Sequence, residues 1–192
     1  MIEVEGEGTP VLNPTDKRVA LLARTWANWA PYFRASAKSN HIPVSWLVAI
    51  ATVETGAWSD NPQEQATVGS PAGAVGVMQF MPFVPPEFGF TAADRTNPQK
   101  SIEMGARFLA KLAKKNSGQL PLMAAQYNSG RIECSPGRNE WNLVADANYP
   151  RQALLYNNTA LRYLDLGTSA LMYALAGMAF AGAAAVGYTL LK

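Results

Sequence analysis

The segment "AIATVETGAWSD" places one acidic residue, Glu54, at the end of a run that otherwise has the pattern of a buried helix. Helical periodicity puts Glu54 on the same face as Ile50 and Leu47, so its carboxyl group is predicted to face inward or into a cleft. Gly56 is predicted to end the helix, which leaves Glu54 near backbone carbonyls that disfavour negative charge. Desolvation and these carbonyls should together raise the pKa of Glu54, as a general acid requires. The alternative is a glutamate turned to solvent at a frayed helix end.

Two further segments carry polar groups that can bind a sugar or a peptide. In "GAVGVMQFMP" a glycine-rich turn is followed by Met78 and Gln79, and local structure gives no reason for an amide there. "AAQYNSG" ends a helix with Tyr127 and Asn128, a phenol and an amide at an exposed helix end. The structural alternative for the first segment is a core Met78 and a Gln79 that braces its loop. For the second segment it is an ordinary helix terminus.

The elements that must position these side chains are predicted to be helices. The clearest is "NPQKSIEMGARFLAKLAKKNSG", with Asn97 as N-cap and Pro98 at the first helical position. Asn116 and Gly118 provide its stop signal. Apolar residues recur at helical spacing between these ends, which predicts an amphipathic helix with one buried face.

The remaining pattern is also helical. Thr15 or Asp16 can cap a first helix, and Pro43 lies near the first turn of the helix that leads to Glu54. Two more helices are predicted in "PLMAAQYN" and "PRQALLYNNTALRYL", and no stretch alternates long enough to require a strand. The predicted fold class is mainly α, with long Gly/Pro loops at 56–76, 82–97 and 129–149.

Composition excludes several classes of function. The 192 residues suffice for one domain of ordinary size. Sixteen Lys plus Arg against fourteen Asp plus Glu give a net charge of +2, and no concentrated basic face indicates nucleic-acid binding. Cys134 is the single cysteine and His41 the single histidine, so neither a disulfide framework nor a His/Cys zinc site is expected. We expect no metal and no cofactor.

The C-terminal segment has a different composition. Residues 169–191 contain no charge, and at 1.5 Å per residue they are long enough to cross a hydrocarbon layer of roughly 30 Å. We predict a transmembrane helix over 168–191; the alternative is a long buried core helix. Gly177, Ala181 and Ala185 form a ridge of small residues that would allow helix pairing in the membrane.

These patterns predict three parts. Residues 1–16 are an acidic N-terminal arm that lacks the pattern of a secretory signal peptide. Residues 17–166 are the catalytic domain, and residues 168–191 the membrane anchor. A protein of this kind is expected to be inserted into a membrane after synthesis or carried in the membrane of another particle.

Three motifs stand in a characteristic order along the chain. Glu-Thr at 54–55 is followed by Gly-Ala-x-Gly-Val-Met-Gln at 73–79 and by Ala-x-Tyr-Asn-x-Gly at 125–130. In this order the chain resembles the catalytic domain of the soluble lytic transglycosylases, which is related in fold to goose-type lysozymes. The resemblance covers roughly residues 40–165 and implies a lysozyme-like α-helical domain.

The resemblance implies a role for Glu54. In the family, the matching Glu protonates the glycosidic oxygen between N-acetylmuramic acid and N-acetylglucosamine. As a carboxylate it then takes the proton of the muramoyl C6 hydroxyl, which closes onto C1 and leaves a 1,6-anhydro end. One carboxylate suffices, whereas ordinary glycosidases use two. Asp60 and Glu64 follow in the loop and are expected to be solvated.

The resemblance also implies a set of substrate-binding residues. Thr55 stands where the family commonly has Ser. The Tyr127 phenol is expected to hydrogen-bond the catalytic carboxyl group, and Asn128 to contact substrate. Tyr156 is expected to correspond to a later family tyrosine that faces the acid. The full set is Thr55, Met78, Gln79, Tyr127, Asn128 and Tyr156.

Other functions and settings remain open from the sequence. The chain could be a lysozyme-type muramidase that releases reducing ends, or a non-catalytic glycan-binding structural protein. The expected partners are peptidoglycan strands and, through residues 169–191, a lipid bilayer. A bacteriophage virion membrane, where the enzyme would open the wall during genome entry, is the expected location; the alternative is the bacterial cell envelope.

Overall fold

The structure is a computed structural model that describes residues 10–56, 59, 61–129 and 148–166. Within these ranges the regular structure is helical. The α-helices are α1 (Lys17–Asn40), α2 (Val44–Ala51), α3 (Pro62–Thr67), α4 (Pro98–Lys115), α5 (Leu120–Ser129) and α6 (Asn148–Tyr163). Isolated bridges join Val75 to Gly69 and to Phe80, and no longer strand occurs in the described ranges.

Helix α2 lies at the centre of the domain. Every residue from Leu47 to Ala51 is fully buried, which is the pattern of a helix that is apolar on all sides. Helices α1 and α6 pack against it most extensively, and α4 also contacts it. This central position explains how the chain can bury the segment that leads to Glu54.

Helix α2 continues as a π-helical turn, Thr52–Gly56, instead of ending in α geometry. The sequence analysis missed this turn, because one extra residue per turn leaves no compositional signal. Gly56 packs tightly against α1: a Cβ at this position would meet the Thr25 hydroxyl oxygen at 2.5 Å. A single π-turn of this kind is frequent at functional sites.

The observed ends of α4 and the start of α1 agree with those predicted from the sequence. The Asn97 side chain caps α4 by accepting a hydrogen bond from the Lys100 N–H, Pro98 is the first helical residue, and Gly118 adopts a positive φ of 69°. Asp16 caps α1, accepting from the Arg18 N–H at 2.9 Å.

Two of the predicted loops contain short helices that the sequence analysis did not identify. Helix α3 lies within the predicted loop 56–76, where Asn61 caps it and Pro62 opens it. Two 3₁₀ turns, Pro85–Phe88 and Ala92–Thr96, lie within 82–97. These pieces are too short to show apolar periodicity.

The N-terminal boundary of the domain is earlier than predicted. Leu12 is buried in the core, and its N–H donates to the Thr159 hydroxyl of α6 at 3.0 Å. The Asn158 side chain of α6 donates to the Pro10 carbonyl at 3.1 Å. Residues 10–16 therefore belong to the domain and do not form a separate arm. The Leu12 side chain is buried in the core, and the Leu12 N–H and the Pro10 carbonyl are hydrogen-bonded to α6.

The predicted membrane helix at 168–191, with the Gly177, Ala181 and Ala185 ridge, lies outside the described residues. A helix with the length and apolarity to cross a bilayer does not occur among the residues that the structure does describe.

Candidate active site

Glu54 is held on the π-turn with a partly buried carboxyl group. The Tyr149 hydroxyl donates a hydrogen bond to Glu54 Oε1 at 2.5 Å. Burial raises the pKa of Glu54 from 4.5 to about 7, although the Tyr149 hydrogen bond acts in the opposite direction. The raised pKa that the sequence analysis expected is thus present in the structure, with desolvation as its main cause.

Tyr149 is a site residue that the sequence analysis missed. Helix α6 begins at Asn148, two residues before the predicted start at Pro150, so Tyr149 lies in its first turn. Burial and the nearby Glu54 raise the pKa of Tyr149 well above 10. The phenol is therefore neutral near pH 7 and acts as a hydrogen-bond donor. The Tyr149–Glu54 contact spans 95 residues, and no local pattern signals it.

The Thr55 side chain contacts two backbone carbonyl groups in the interior of the domain. It is fully buried, and its hydroxyl lies 3.1 Å from the Ala51 carbonyl and 3.2 Å from the Val77 carbonyl. The hydroxyl thereby joins the π-turn to the 76–79 segment. The Thr55 side chain is therefore not exposed in this structure, and its contact with substrate stays a prediction.

Met78 is also a core residue. Its side chain is fully buried and packs against Gly105 of α4, where a Cβ would meet the Met78 Cε at 2.6 Å. The Met78 N–H donates to the Ser101 hydroxyl at 3.3 Å. Met78 therefore lies in the core, as the structural alternative has it, and its place in the lining of a sugar cleft stays a prediction.

Gln79 braces its own loop. The residue has a positive φ of 48°, and its Nε2 donates to the carbonyls of Val68 and Gly76, each at 2.9 Å. Both amide hydrogens are used in this way. Because the side chain is only partly buried, a ligand could contact it through Oε1, which would act as an acceptor.

Tyr127 contacts the same segment instead of the acid. Its hydroxyl donates to the Met78 carbonyl at 2.8 Å, and its ring packs against Phe80 and Phe108 at centroid distances of 5.8 and 5.1 Å. Burial and the charge of Glu54 raise the Tyr127 pKa well above 10. The expected hydrogen bond from Tyr127 to the catalytic carboxyl group is thus replaced by the one from Tyr149.

The last two predicted residues differ in position. Asn128 is exposed at the end of α5, as expected for a substrate contact. Tyr156 is buried on α6, and the charges that act on its pKa are those of Arg18 and Asp16. Tyr156 therefore does not face the acid: it lies about two turns along the helix from Tyr149, which does.

Of the two acidic residues that follow Glu54 in the predicted loop, one lies among the described residues. Glu64 is exposed and accepts a hydrogen bond from the Ser59 hydroxyl at 2.6 Å, and Asp60 lies outside the described residues. The causes of the raised Glu54 pKa include no carboxylate from the described part of the chain. Nor do the described residues contain a cluster of three or more His, Cys, Asp or Glu side chains that could hold a metal ion.

The fold and the site together define a class: a mainly helical domain with a partly buried acid on the π-turn that continues its central helix. The family model described as "Transglycosylase SLT domain" matches residues 31–140, more than half of the chain. The chain therefore belongs to the SLT transglycosylase domain family.

One solved structure shares this fold, and a second covers a similar share of the chain. The 70 kDa soluble lytic transglycosylase SLT70 from Escherichia coli matches 74% of this chain and 25% of its own, at 24% identity and a TM-score of 0.56. An inactive mutant of the lytic transglycosylase Slt from Pseudomonas aeruginosa matches 75% of this chain and 23% of its own, at 20% identity and a TM-score of 0.45. The chain thus spans about a quarter of the length of these proteins. No curated protein sequence matches it. The mainly helical, lysozyme-like fold predicted from the sequence is confirmed.

Proposed function

We propose that this chain is a peptidoglycan lytic transglycosylase that cleaves the β-1,4 bond between N-acetylmuramic acid and N-acetylglucosamine. The observation that carries the proposal is the Glu54 carboxyl group, with a pKa of about 7 and a hydrogen bond from Tyr149. Such a group is a ready proton donor near neutral pH, and as a carboxylate it is a better base than an ordinary glutamate. Membership of the SLT domain family supports the substrate class.

The geometry suggests which oxygen transfers the proton. Tyr149 occupies Oε1 of Glu54, which leaves Oε2 to carry the acidic proton. This proton passes to the glycosidic oxygen as its bond to C1 of the muramoyl sugar breaks. The C6 hydroxyl oxygen then bonds to C1, and its proton returns to Glu54. The acid is regenerated, no water is consumed, and the product ends in a 1,6-anhydro ring.

A single carboxylate is consistent with this route. A glycosidase that uses water or a covalent intermediate places a second carboxyl group across the bond, roughly 5 to 10 Å from the first. Glu64 is exposed and bonded to Ser59, and no carboxylate of the described residues is among the causes of the raised Glu54 pKa. The lysozyme-type hydrolase is the second candidate, and the product distinguishes it.

The test is a digestion of purified sacculi followed by mass analysis of the released termini. We expect 1,6-anhydro ends; reducing ends would establish the hydrolase, and no release would indicate a glycan-binding protein. Glu54→Gln should lower the rate at least about a hundredfold, because it removes the proton that the leaving oxygen needs. Glu64→Gln is the matched control and should retain activity. An active Glu54→Gln variant would refute the mechanism.

We further propose that the enzyme acts from a membrane, in a phage virion during genome entry. The support is the uncharged run at 169–191, whose length suits a bilayer. Purified particles should contain the protein and lose it on detergent extraction. Its absence from particles would favour the bacterial cell envelope.

A further inference from the structure

A cavity is lined by residues of α4, α5 and the 3₁₀ turn Pro85–Phe88. Its volume is about 300 Å³, and it is lined by Glu87, Phe108, Lys111, Leu112, Lys115 and Gln126. Phe108 packs against Tyr127, and Gln126 precedes Tyr127 on α5. The cavity therefore borders the candidate active site but contains none of the residues assigned to it.

The amide of Gln126 is oriented by its neighbours. The Asn116 Nδ2 donates to the Leu112 carbonyl at 2.9 Å, which identifies it as the amide nitrogen, and also to Gln126 Oε1 at 3.1 Å. The Gln126 oxygen is thus used, and its NH₂ group is directed elsewhere. Gln126 is only 8% exposed, and no described residue accepts a hydrogen bond from this NH₂ group. The NH₂ group lines the cavity and is available to a ligand that offers an acceptor.

The charges around the cavity favour an anion. Lys111 forms an ion pair with Glu87, so that the carboxylate is already neutralised. Lys115 lies one turn further along α4 and forms no ion pair with any described residue. The Phe108 ring and the Leu112 side chain add an apolar surface. The cavity thus offers hydrogen-bond donors and positive charge beside an apolar wall.

We propose that this cavity binds the C-terminal carboxylate of a peptidoglycan stem peptide, with the methyl group of a terminal alanine against Phe108 and Leu112. The carboxylate receives hydrogen bonds from Gln126 Nε2 and Lys115 Nζ. The identity of the ligand rests on the proposed function, since peptidoglycan strands carry short peptides that end in a carboxylate. The site would favour strands with intact stems over bare glycan.

The test is calorimetric titration of the full chain with N-acetyl-D-alanyl-D-alanine. Its C-terminal amide should bind at least about tenfold more weakly, because a charge-assisted hydrogen bond is lost. Acetate should also bind more weakly, since it lacks the groups that reach the apolar wall. Equal affinity for the acid and the amide, or for the dipeptide and acetate, overturns the proposal.

Variants locate the site. Gln126→Glu keeps the acceptor for Asn116 but replaces the NH₂ group by an anionic oxygen, and should weaken binding about tenfold or more. Lys115→Met should weaken it about threefold, as expected for an exposed charge. Lys114→Met removes the same charge one residue away, outside the cavity lining, and should leave the affinity unchanged. Unchanged binding in Lys115→Met, a substitution at an exposed position that leaves the core intact, contradicts the proposal even if Gln126→Glu unfolds.

Digestion data separate this proposal from the proposed function. The ratio of cleavage rates on stem-bearing and stem-free strands should fall in Lys115→Met and not in Lys114→Met. A chain that binds the dipeptide but releases no anhydro ends refutes the function and retains the site. A chain that releases anhydro ends at equal rates from both strands refutes the site and retains the function.

Discussion

Glu54 and Tyr149 form the contact on which the chemistry depends. The carboxyl group titrates near pH 7, whereas the phenol has a pKa well above 10. Ionisation in the neutral range therefore belongs to Glu54 alone, and the tyrosine acts as a fixed donor. The position of the pKa reflects two opposed effects, burial and this hydrogen bond, which can be separated by mutation.

Tyr149→Phe should move the alkaline limb of the pH–rate profile to higher pH. The hydrogen bond from Tyr149 lowers the pKa of Glu54, so its loss leaves burial unopposed and keeps the acid protonated further into the alkaline range. The measurement is kcat/KM across the pH range. Tyr156→Phe, on the same helix but beside Asp16 and Arg18, should leave the limb in place. An equal shift in both variants would show that the effect is not specific to the contact.

Glu54→Gln should become more stable than the parent chain as pH rises. Below about pH 4 the carboxyl group is protonated in both states and the two chains differ little. As pH rises from about 4.5 to 7, the unfolded chain ionises before the folded one and the parent loses up to roughly 3 kcal/mol. Urea unfolding at several pH values measures this. A constant difference would mean that Glu54 ionises normally.

Among the elements, the 76–79 segment holds the site together. Its carbonyls accept from Thr55 on the π-turn and from Tyr127 on α5, and its Met78 N–H donates to Ser101 on α4. At Gly76 the segment passes close to the 3₁₀ turn Ala92–Thr96. A Cβ on Gly76 would meet the Arg95 carbonyl oxygen at 1.9 Å. Small displacements here would move the supports of the candidate active site.

Gly76→Ala should cost more than about 3 kcal/mol of unfolding free energy, because it adds a backbone clash to the strain of a positive φ. Gly73→Ala is the matched control: Gly73 also has a positive φ, but a Cβ there would meet nothing within 4 Å. It should cost about 1 kcal/mol. Denaturant midpoints measure both, and equal costs would exclude the close approach as the cause.

At the scale of the whole molecule, residues 10–12 pack against the core and are part of the domain. They pack on α6, whose first turn carries Tyr149, through the buried Leu12 side chain and two hydrogen bonds. The chain spans about a quarter of the length of the two solved structures that it matches. Its described residues nevertheless form one continuous hydrophobic core around α2.

Leu12→Ala should destabilise the domain by about 2 to 5 kcal/mol, since it leaves a cavity between the N-terminal segment and the core. Leu161→Ala makes the same change at a side chain that is 40% exposed and should change stability by about 0.5 kcal/mol or less. Thermal or urea unfolding provides the comparison. A small effect at Leu12 would show that the segment does not belong to the cooperative unit.

The sequence by itself determined the features that local chemistry controls. Asn97 and Asp16 cap their helices because a side-chain acceptor beside the first N–H groups needs no distant partner. The apolar face of the helix before Glu54 predicted an acid that faces inward or into a cleft, and the order of three motifs indicated the family, which the match over residues 31–140 confirms.

Only the tertiary structure decided which groups meet. Tyr149 was assigned to a loop and Tyr156 to the acid, yet α6 turns the first toward Glu54 and the second toward Arg18. Met78 and Thr55 lie in matching motifs but point into the core. Periodicity specifies the face of a helix on which a residue lies; it does not specify what packs against that face. Contacts between residues far apart in sequence depend on how whole helices pack, and that is a property of the entire core.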